Sequence, residues 1–319
     1  MSKRHLIDVA DLQREDVERI LDAARGFEGV LAREVKKVPT LRGRTVVNVF
    51  FESSTRTSSS FELAAKRLSA DTMSLKGSGS SVDKGESLKD TIRTLDAYGP
   101  DVVVIRHAEI GAARLTARWT DAHVVNAGDG KHQHPTQCLL DLHTIREALG
   151  RLDGVHVAIV GDVLHSRVAR SNIAGFRLMG MHVTLVGPPP LIPRGIEATG
   201  VRVDHDIRAI GDADVVYVLR MQRERMLPGA AYVPSLREYT ARWGVTRERL
   251  TPTQLVMHPG PMNRGVEIAP DVADAASSLI ERQVKAGLVV RMGVLYDLIT
   301  RPTATDRPAL PTAATTAVA

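Results

Sequence analysis

The residues best suited to chemistry are hydroxyls gathered around one arginine, in the run Ser53-Ser54-Thr55-Arg56-Thr57-Ser58. Residues 45–51 before it are β-branched and aromatic, which predicts a buried strand, and helix-spaced apolar residues follow it. A helix therefore begins inside the hydroxyl cluster, where its first N–H groups lack partners and its dipole is positive. Those donors, the hydroxyls and Arg56 suit a phosphate, whereas an ordinary helix cap needs only one hydroxyl.

The elements that position this cluster belong to a globular chain. It has 319 residues, 43% of them hydrophobic and 25% charged, and this length is enough for two domains. A single cysteine, Cys138, excludes an intrachain disulfide framework and fits a reducing compartment. There is no signal-peptide core and no apolar run of about 20 residues that could span a bilayer. We therefore expect a cytoplasmic enzyme with no membrane partner.

The excess of basic residues suggests nucleic acid as a ligand, but the way these residues are distributed argues against it. The formal charge is +5 and the sequence pI about 9.5. However, the basic residues are scattered, aromatic residues make up only 4%, and no block of five basic residues occurs. Isolated arginines beside small polar residues favour small anionic ligands instead, so no nucleic-acid partner is expected.

Short apolar runs alternate with amphipathic ones along the whole chain. We predict strands at 45–51, 72–75, 101–105, 123–126, 155–160, 181–186, 214–219 and 254–257. We predict helices inside 1–37 with Asp11 as N-cap, and at 57–69, 87–98, 110–118, 134–149, 166–179 and 273–299. This alternation indicates an α/β fold of two domains, each a parallel sheet flanked by helices, connected by the helix at 134–149.

Further polar clusters follow the predicted strands, where open α/β sheets bind ligands. They are Arg106-His107, the segment 126–137, the segment 161–169, the segment 220–225 and His258-Pro259-Gly260-Pro261. Each has a plain explanation when taken singly. His132 and His134 lack the neighbouring ligands that a metal would need. Gly161-Asp162 is not followed by a dinucleotide fingerprint, so that interpretation is discarded.

Taken together, these motifs resemble one family, the carbamoyltransferases, over about residues 3 to 300. The motifs that carry the resemblance occur in the family's order and are Ser54-Thr55-Arg56-Thr57, Lys84-Gly85-Glu86, Arg106-His107, His134-Pro135-Thr136-Gln137, Arg167, Arg220-Met221-Gln222 and His258-Pro259-Gly260-Pro261. Ornithine-specific members typically carry a Cys in an H-C-L-P motif at the last of these. The Lys-Gly-Glu loop and the Arg-x-Gln motif are similar to the aspartate-specific members instead.

The resemblance implies carbamoyl transfer from carbamoyl phosphate to L-aspartate, the committed step toward pyrimidines. It implies that Ser54, Thr55, Arg56 and Thr57 hold the phosphate, that Arg106 bridges phosphate and carbonyl oxygen, and that His134 donates to that oxygen with Thr57. The carbamoyl NH₂ would meet Gln137 and the carbonyls of Pro259 and Gly260, although leucine is common in place of this glycine. Arg167, Arg220, Gln222 and Lys84 would bind aspartate. The resemblance implies five catalytic residues: Arg56, Thr57, Lys84, Arg106 and His134.

The resemblance also implies an organisation. Residues 1–133 with 286–300 would form a carbamoyl-phosphate-binding domain and residues 134–285 an aspartate-binding domain, while composition predicts a disordered tail at 301–319. The loop carrying Ser80 and Lys84 would reach a neighbouring site, giving a homotrimer with shared active sites. No cofactor or metal is implied, and association with a regulatory chain is left open.

Three alternatives stay open at this point. The chain could be a carbamoyltransferase for another amine such as ornithine, although the second domain would then need carboxylates where arginines are predicted. It could be a catalytically silent subunit that binds carbamoyl phosphate, although no motif residue is missing. A nucleic-acid-binding module is the third and is disfavoured by the charge pattern.

Overall fold

Two all-parallel β-sheets organise the chain in the computed structural model, which describes residues 5–77, 85–226 and 232–301. The first sheet has the strand order β2-β1-β3-β4. Its strands are β1 (Thr45–Phe50), β2 (Asp71–Lys76), β3 (Val102–His107) and β4 (His123–Asp129). The central strands β1 and β3 are continuous apolar runs because both faces of a parallel sheet are covered by helices.

The second sheet has the order β7-β6-β5-β8-β9. Its strands are β5 (His156–Val160), β6 (His182–Val186), β7 (Arg202–Asp204), β8 (Val215–Val218) and β9 (Leu255–Met257). The order reverses beside β5, whose neighbours are β6 and β8, and such a switch point is where open α/β sheets bind ligands. The predicted fold class, two parallel sheets flanked by helices, is confirmed.

Nine α-helices flank these sheets within the described ranges. They are α1 (Arg14–Leu31), α2 (Thr55–Arg67), α3 (Leu88–Asp96), α4 (Ala112–Thr116), α5 (Pro135–Leu149), α6 (Arg167–Leu178), α7 (Leu236–Trp243), α8 (Pro270–Ala273) and α9 (Ile280–Thr300). None of the helices described is long and apolar enough to cross a membrane.

Helices α5 and α9 connect the two sheets. α5 is buried over most of its circumference, and α9 packs against α1, α2 and α5. One apolar core therefore runs from first-sheet residues such as Val104 through Leu139 to second-sheet residues such as Ile159. Gly175 lets α6 pack directly against α5, since a Cβ there would overlap the thiol of the buried Cys138.

Several predictions of local structure were wrong. Asp11 does not cap the first helix; it ends a 3₁₀ turn, and α1 begins after Gln13, whose backbone N–H donates to the Asp16 carboxylate at 3.1 Å. The helix predicted at 273–299 starts only at Ile280. β7 and α7 were missed, because both are short and lie in polar segments without a clear period.

Some predictions fall on residues outside the described ranges. They include Ser80 and Lys84 of the Gly/Ser-rich loop and residues 302–319 of the predicted tail. Arg301 is described, and its guanidinium donates to the Asp16 carboxylate at 2.9 Å.

Candidate active site

A cavity of about 1110 Å³ is lined by residues from the carboxyl ends of both sheets. The structure brings into its wall every predicted site residue that lies in the described ranges. These are Ser54, Thr55, Arg56, Thr57, Arg106, His134, Gln137, Arg167, Arg220, Gln222, Pro259 and Gly260. Lys84 is the one predicted site residue outside those ranges.

The register of the first sheet explains why two of the predicted clusters meet. Phe50 at the end of β1 pairs with Arg106 on β3. Glu52 follows two residues later, so its carboxylate comes within 3.1 Å of the Arg106 guanidinium. Arg106 also donates to the carbonyl of Ala127 at 3.4 Å, which ties it to β4. Because the strands are parallel, the polar residues that follow their carboxyl ends lie together at one edge of the sheet.

The hydroxyl-rich run folds as predicted into a loop and the first turn of α2. Ser54 is the N-cap residue and its side chain makes no capping hydrogen bond, so the first N–H groups of the helix are left to other acceptors. Not every hydroxyl serves the cavity. Those of Ser58 and Ser60 donate back to the carbonyls of Ser54 and Arg56, at 2.8 and 2.7 Å. The groups left for the predicted anion site are those of Ser54, Thr55, Arg56 and Thr57, which all line the cavity.

One carboxylate, that of Glu52, joins three arginines across the cavity. Its Oε1 accepts from Arg106 on the first sheet, from Arg167 at the start of α6, and from Arg225 at 3.0 Å. Burial alone would raise the pKa of Glu52, but the hydrogen bond from Arg167 and the three positive charges hold this pKa at about 2. Glu52 thus joins an arginine of the first sheet, Arg106, to two from the second-sheet side, Arg167 and Arg225.

Positive charge dominates the cavity. Among the described lining residues, seven basic side chains face two carboxylates, Glu52 and Glu224. Burial and the nearby Arg167 lower the pKa of Arg106 to about 10, and burial followed by the charge of Arg220 lowers that of Arg56. The buried Nε of Arg106 and Nη1 of Arg167 have no hydrogen-bond partner in the described protein. Such a concentration of guanidinium groups favours a ligand with several negative charges.

His134 is kept neutral by its surroundings. It is buried, and its backbone N–H donates to the Ser171 hydroxyl at 2.7 Å, which fixes it at the start of α5. Burial, reinforced by the charges of Arg106, Arg291 and Arg167, lowers its pKa well below the usual value. A neutral imidazole can still donate one hydrogen bond, as the predicted contact with a carbonyl oxygen requires.

The second sheet contributes the arginines and the amide on the opposite wall. Arg167 begins α6, whose N-cap Ser166 accepts from the Ala169 N–H at 3.1 Å. The backbone N–H of Gln222 donates to the buried carboxylate of Asp162 at 3.1 Å. Arg220 forms an ion pair with Glu224 at the rim. From the sequence, Asp162 was considered only as part of a possible dinucleotide-binding motif. That Asp162 holds the loop that carries Gln222 was not predicted.

The loop after β9 is held by a buried histidine and a buried glutamate. The Nδ1 of His258 accepts the Gly260 N–H at 2.8 Å, so its Nε2 carries the proton and faces Glu267 Oε1 at 3.4 Å. Gly260 has a φ of +62°, and a Cβ there would lie 2.8 Å from Nη1 of Arg56. This loop therefore packs directly on the arginine of the predicted phosphate site.

Three buried polar residues in or behind the cavity wall were missed altogether: Asp141 on α5, and Gln283 and Arg291 on α9. Gln283 and Arg291 line the cavity, and Asp141 accepts a hydrogen bond from Gln137. The only sequence signal was a polar residue inside an otherwise apolar helical stripe. No group of His, Cys, Asp and Glu in the described ranges could hold a metal ion.

Comparison with known proteins decides the family. Residues 4–147 match the family model for "Aspartate/ornithine carbamoyltransferase, carbamoyl-P binding domain", and residues 153–298 match the model for the Asp/Orn binding domain. The chain belongs to the aspartate/ornithine carbamoyltransferase family. The family resemblance predicted from the motifs is confirmed.

Several relatives of this carbamoyltransferase are named as catalytic subunits of aspartate carbamoyltransferase. It is 56% identical to the aspartate carbamoyltransferase catalytic subunit of Pelotomaculum thermopropionicum, covering 92% of this chain and 96% of the relative. It is 57% identical to that of Salinispora arenicola, covering 93% and 98%.

Solved structures similar to this chain are also aspartate transcarbamoylases. Aspartate transcarbamoylase from Trypanosoma cruzi, in complex with carbamoyl phosphate and aspartate, superimposes with a TM-score of 0.83 at 31% identity, covering 92% of this chain and 96% of that one. The catalytic subunit of M. jannaschii aspartate transcarbamoylase gives a TM-score of 0.81 at 37% identity, covering 93% and 98%.

Proposed function

We propose that this carbamoyltransferase transfers the carbamoyl group from carbamoyl phosphate to the amine of L-aspartate, giving N-carbamoyl-L-aspartate and phosphate. The observation that carries the proposal is the cavity itself, in which a phosphate-suited helix start on one wall faces Arg167 and Arg220 on the other. The names of the relatives, which specify aspartate, support the choice of acceptor. This reaction belongs to pyrimidine biosynthesis.

The chemistry needs positioning and charge stabilisation more than proton transfer. The aspartate nitrogen attacks the carbonyl carbon, a C–N bond forms, and the carbonyl oxygen becomes a tetrahedral oxyanion. The C–O bond to phosphate then breaks, phosphate leaves with the electron pair, and one proton of the amine is released. Donors aimed at the developing oxyanion and at the leaving phosphate lower this barrier, and holding both substrates in register lowers it further.

On the first-sheet wall, we assign carbamoyl phosphate to Ser54, Thr55, Arg56 and Thr57, using the unpaired N–H groups and hydroxyls at the start of α2. Arg106 would bridge a phosphate oxygen and the carbonyl oxygen. The neutral imidazole of His134 would donate to the same oxygen, because its lowered pKa leaves it uncharged at neutral pH.

The carbamoyl NH₂ needs acceptors. The side-chain oxygen of Gln137 and the backbone carbonyls of Pro259 and Gly260 would supply them. A backbone carbonyl contact does not depend on residue type, so the glycine at 260 is compatible with this role.

On the second-sheet wall, Arg167, Arg220 and Gln222 would hold the two carboxylates of aspartate. Guanidinium groups pair with carboxylates through two parallel hydrogen bonds, which fixes the orientation of the substrate as well as binding it. Ornithine would bring a cationic side chain to the same wall. Of the two described lining carboxylates, Glu52 already joins three arginines and Glu224 pairs with Arg220, so the wall suits an anion better.

Phosphate release from carbamoyl phosphate, measured with L-aspartate, with L-ornithine and without an amine, tests this proposal. Release that requires aspartate and yields carbamoyl-aspartate is the expected result. Release with ornithine alone would overturn the assignment of the second wall. Tight carbamoyl phosphate binding without turnover on any amine would mean a silent binding subunit.

We also propose that the active enzyme is a homotrimer in which Lys84 acts in a neighbouring chain's cavity. The family resemblance of the Lys84-Gly85-Glu86 motif supports this assignment. Trimers of Lys84→Ala and of Arg56→Ala should each be inactive. After dissociation and reassembly of a mixture, part of the activity should return, because some sites then combine both intact contributions. No recovery would argue that each chain holds a complete site.

Two organisational predictions remain proposals of the same kind. The division into 1–133 with 286–300 and 134–285 is supported by the packing of α9 on α1 and α2, beside the first sheet. A cytoplasmic location is supported by the single cysteine and by the biosynthetic reaction. Gel filtration with light scattering would show the trimer and whether a regulatory chain co-purifies with it.

A further inference from the structure

Behind the cavity lies a buried carboxylate that the reaction does not touch. Asp141, on α5, is completely buried and accepts four hydrogen bonds. Its Oδ1 accepts from Nε2 of Gln137 at 3.1 Å and Nε2 of Gln283 at 2.7 Å. Its Oδ2 accepts from Nδ2 of Asn172 at 2.9 Å and from the Tyr217 hydroxyl at 2.7 Å. An apolar residue of similar size would be easier to bury, so the carboxylate calls for an explanation.

An ionised carboxylate can only accept hydrogen bonds, so it dictates the orientation of any amide beside it. The NH₂ of Gln137 must face Asp141, and its oxygen must therefore point away from it. Burial raises the pKa of Asp141 to about 6 against the hydrogen bonds that lower it, and at neutral pH the group is a carboxylate. A protonated carboxyl or an apolar residue would leave the Gln137 amide free to turn.

Asp141 also orients the amide of Gln283, which contacts the loop after β9. The NH₂ of Gln283 faces Asp141, and its Oε1 accepts the backbone N–H of His258 at 3.0 Å. His258 in turn accepts the Gly260 N–H. Asp141 is therefore connected by directed hydrogen bonds to Gln137 on one side and to the backbone carrying the Pro259 and Gly260 carbonyls on the other.

We propose that Asp141 is a positioning residue that makes the cavity select a carbamoyl over an acetyl group, by holding the acceptors of Gln137, Pro259 and Gly260 toward the donor's NH₂. The inference rests on the proposed function and deepens it. A site built to pair with an N–H group discriminates strongly against an analogue that lacks it, since its acceptors are then left unpaired.

Acetyl phosphate is the probe, because it keeps the phosphate and the carbonyl and replaces the NH₂ by a methyl group. The affinities of the purified enzyme for carbamoyl phosphate and acetyl phosphate would be measured by direct binding, so that turnover is not required. Wild-type enzyme should bind carbamoyl phosphate at least about tenfold more tightly, the equivalent of about 1.4 kcal/mol. Asp141→Leu should reduce this ratio to about twofold or less, with acetyl phosphate affinity nearly unchanged.

Asp141→Asn is the matched control. Its new NH₂ can take the place of Oδ2, because the Tyr217 hydroxyl can accept and the Asn172 amide can turn its otherwise unpaired buried oxygen toward it. The oxygen facing Gln137 and Gln283 is then retained. This variant should keep the affinity ratio within about threefold of wild type.

An equal fall in both affinities for Asp141→Leu would mean general damage to the site and would overturn the inference. So would an unchanged ratio, or a wild-type enzyme that transfers carbamoyl groups yet binds both donors alike; the last result would leave the proposed function standing. Should Asp141→Leu not fold, Gln283→Met carries the test, since it cuts the link from Asp141 to His258. Its ratio should fall, and an unchanged ratio would contradict the proposal.

Discussion

The carboxylate of Glu52 accepts a hydrogen bond from the guanidinium of Arg225 at 3.0 Å, although 173 positions separate the two residues in sequence. Glu52 follows β1, one of the two central strands of the first sheet, and Arg225 follows β8 of the second. With Arg167, which binds the same oxygen, this contact fastens one wall of the cavity to the other. It also fixes the guanidinium groups of both arginines at the cavity wall.

Glu52→Gln should therefore loosen the second wall more than the first. The amide keeps the shape but loses the charge that orients Arg167 and Arg225, and we expect the KM for aspartate to rise roughly tenfold or more. Carbamoyl phosphate affinity should change less. Steady-state kinetics with each substrate varied would measure this. Glu62→Gln is the control, since Glu62 forms an exposed pair with Lys66 on α2. Equal effects of the two substitutions would contradict the bridging role.

Removing one arginine from each wall should separate the two substrates. Arg56→Ala takes the cation from the phosphate site and should lower turnover and carbamoyl phosphate affinity by about a hundredfold or more. Arg220→Ala should mainly raise the KM for aspartate. Direct binding of carbamoyl phosphate distinguishes the two, because Arg220→Ala should still bind it. Unchanged kinetics in both variants would show that the site is assigned wrongly.

Gly128, beside the Ala127 carbonyl that accepts from Arg106, should tolerate no side chain. Its φ is +118°, and a Cβ would lie 3.0 Å from Nη1 of Arg167 and 3.2 Å from its Cδ. Gly128→Ala should cost about 1–3 kcal/mol of stability through strain and also displace Arg167, with loss of aspartate affinity. Gly150 is the control: its φ is +72° with no atom within 4 Å of the added carbon. Gly150→Ala should lose stability but keep its kinetics.

The buried Asp141 should make stability depend on pH in an unusual direction. In the native state its pKa is raised to about 6 from 3.8, so the folded protein holds a proton that the unfolded chain has lost. Stability from this group is present below about pH 4 and declines as the pH rises to about 6, by about 3 kcal/mol. Denaturant unfolding of wild type and Asp141→Asn at several pH values measures it. The free energy of unfolding of wild type minus that of Asp141→Asn should fall between about pH 4 and pH 6. A value that stays constant or rises over this range would contradict the prediction.

Much of the cavity could be predicted because parallel sheets gather polar residues at one edge. Once the strands before Arg56, Arg106 and Arg220 were recognised, their convergence followed from topology. The motifs themselves are local, so their order along the chain was sufficient to name the family.

The buried polar residues in and behind the inner wall of the cavity could not be predicted, since their roles depend on contacts between distant segments. Asp141 and Gln283 look like isolated polar residues in apolar helices until α5 and α9 are packed together. Val284 shows that periodicity can also mislead: its helical spacing from Ile280 and Leu288 suits a packing face, yet it is 59% exposed and lies at the cavity. A helix that contacts several partners does not present one simple apolar stripe.

Helix α9 closes the flank of the first sheet, although the ribosome makes it only after the whole of the second sheet. Arg19 on α1 donates to Asp297 at 2.6 Å, and Phe27 meets Tyr296 edge to face. Apolar residues of α1 and α2 share one core with those of α9. During synthesis the layer formed by α1, α2 and α9 is thus begun first and completed last. A nascent chain that has just delivered β4 holds every strand of that sheet and still lacks the helix that seals it.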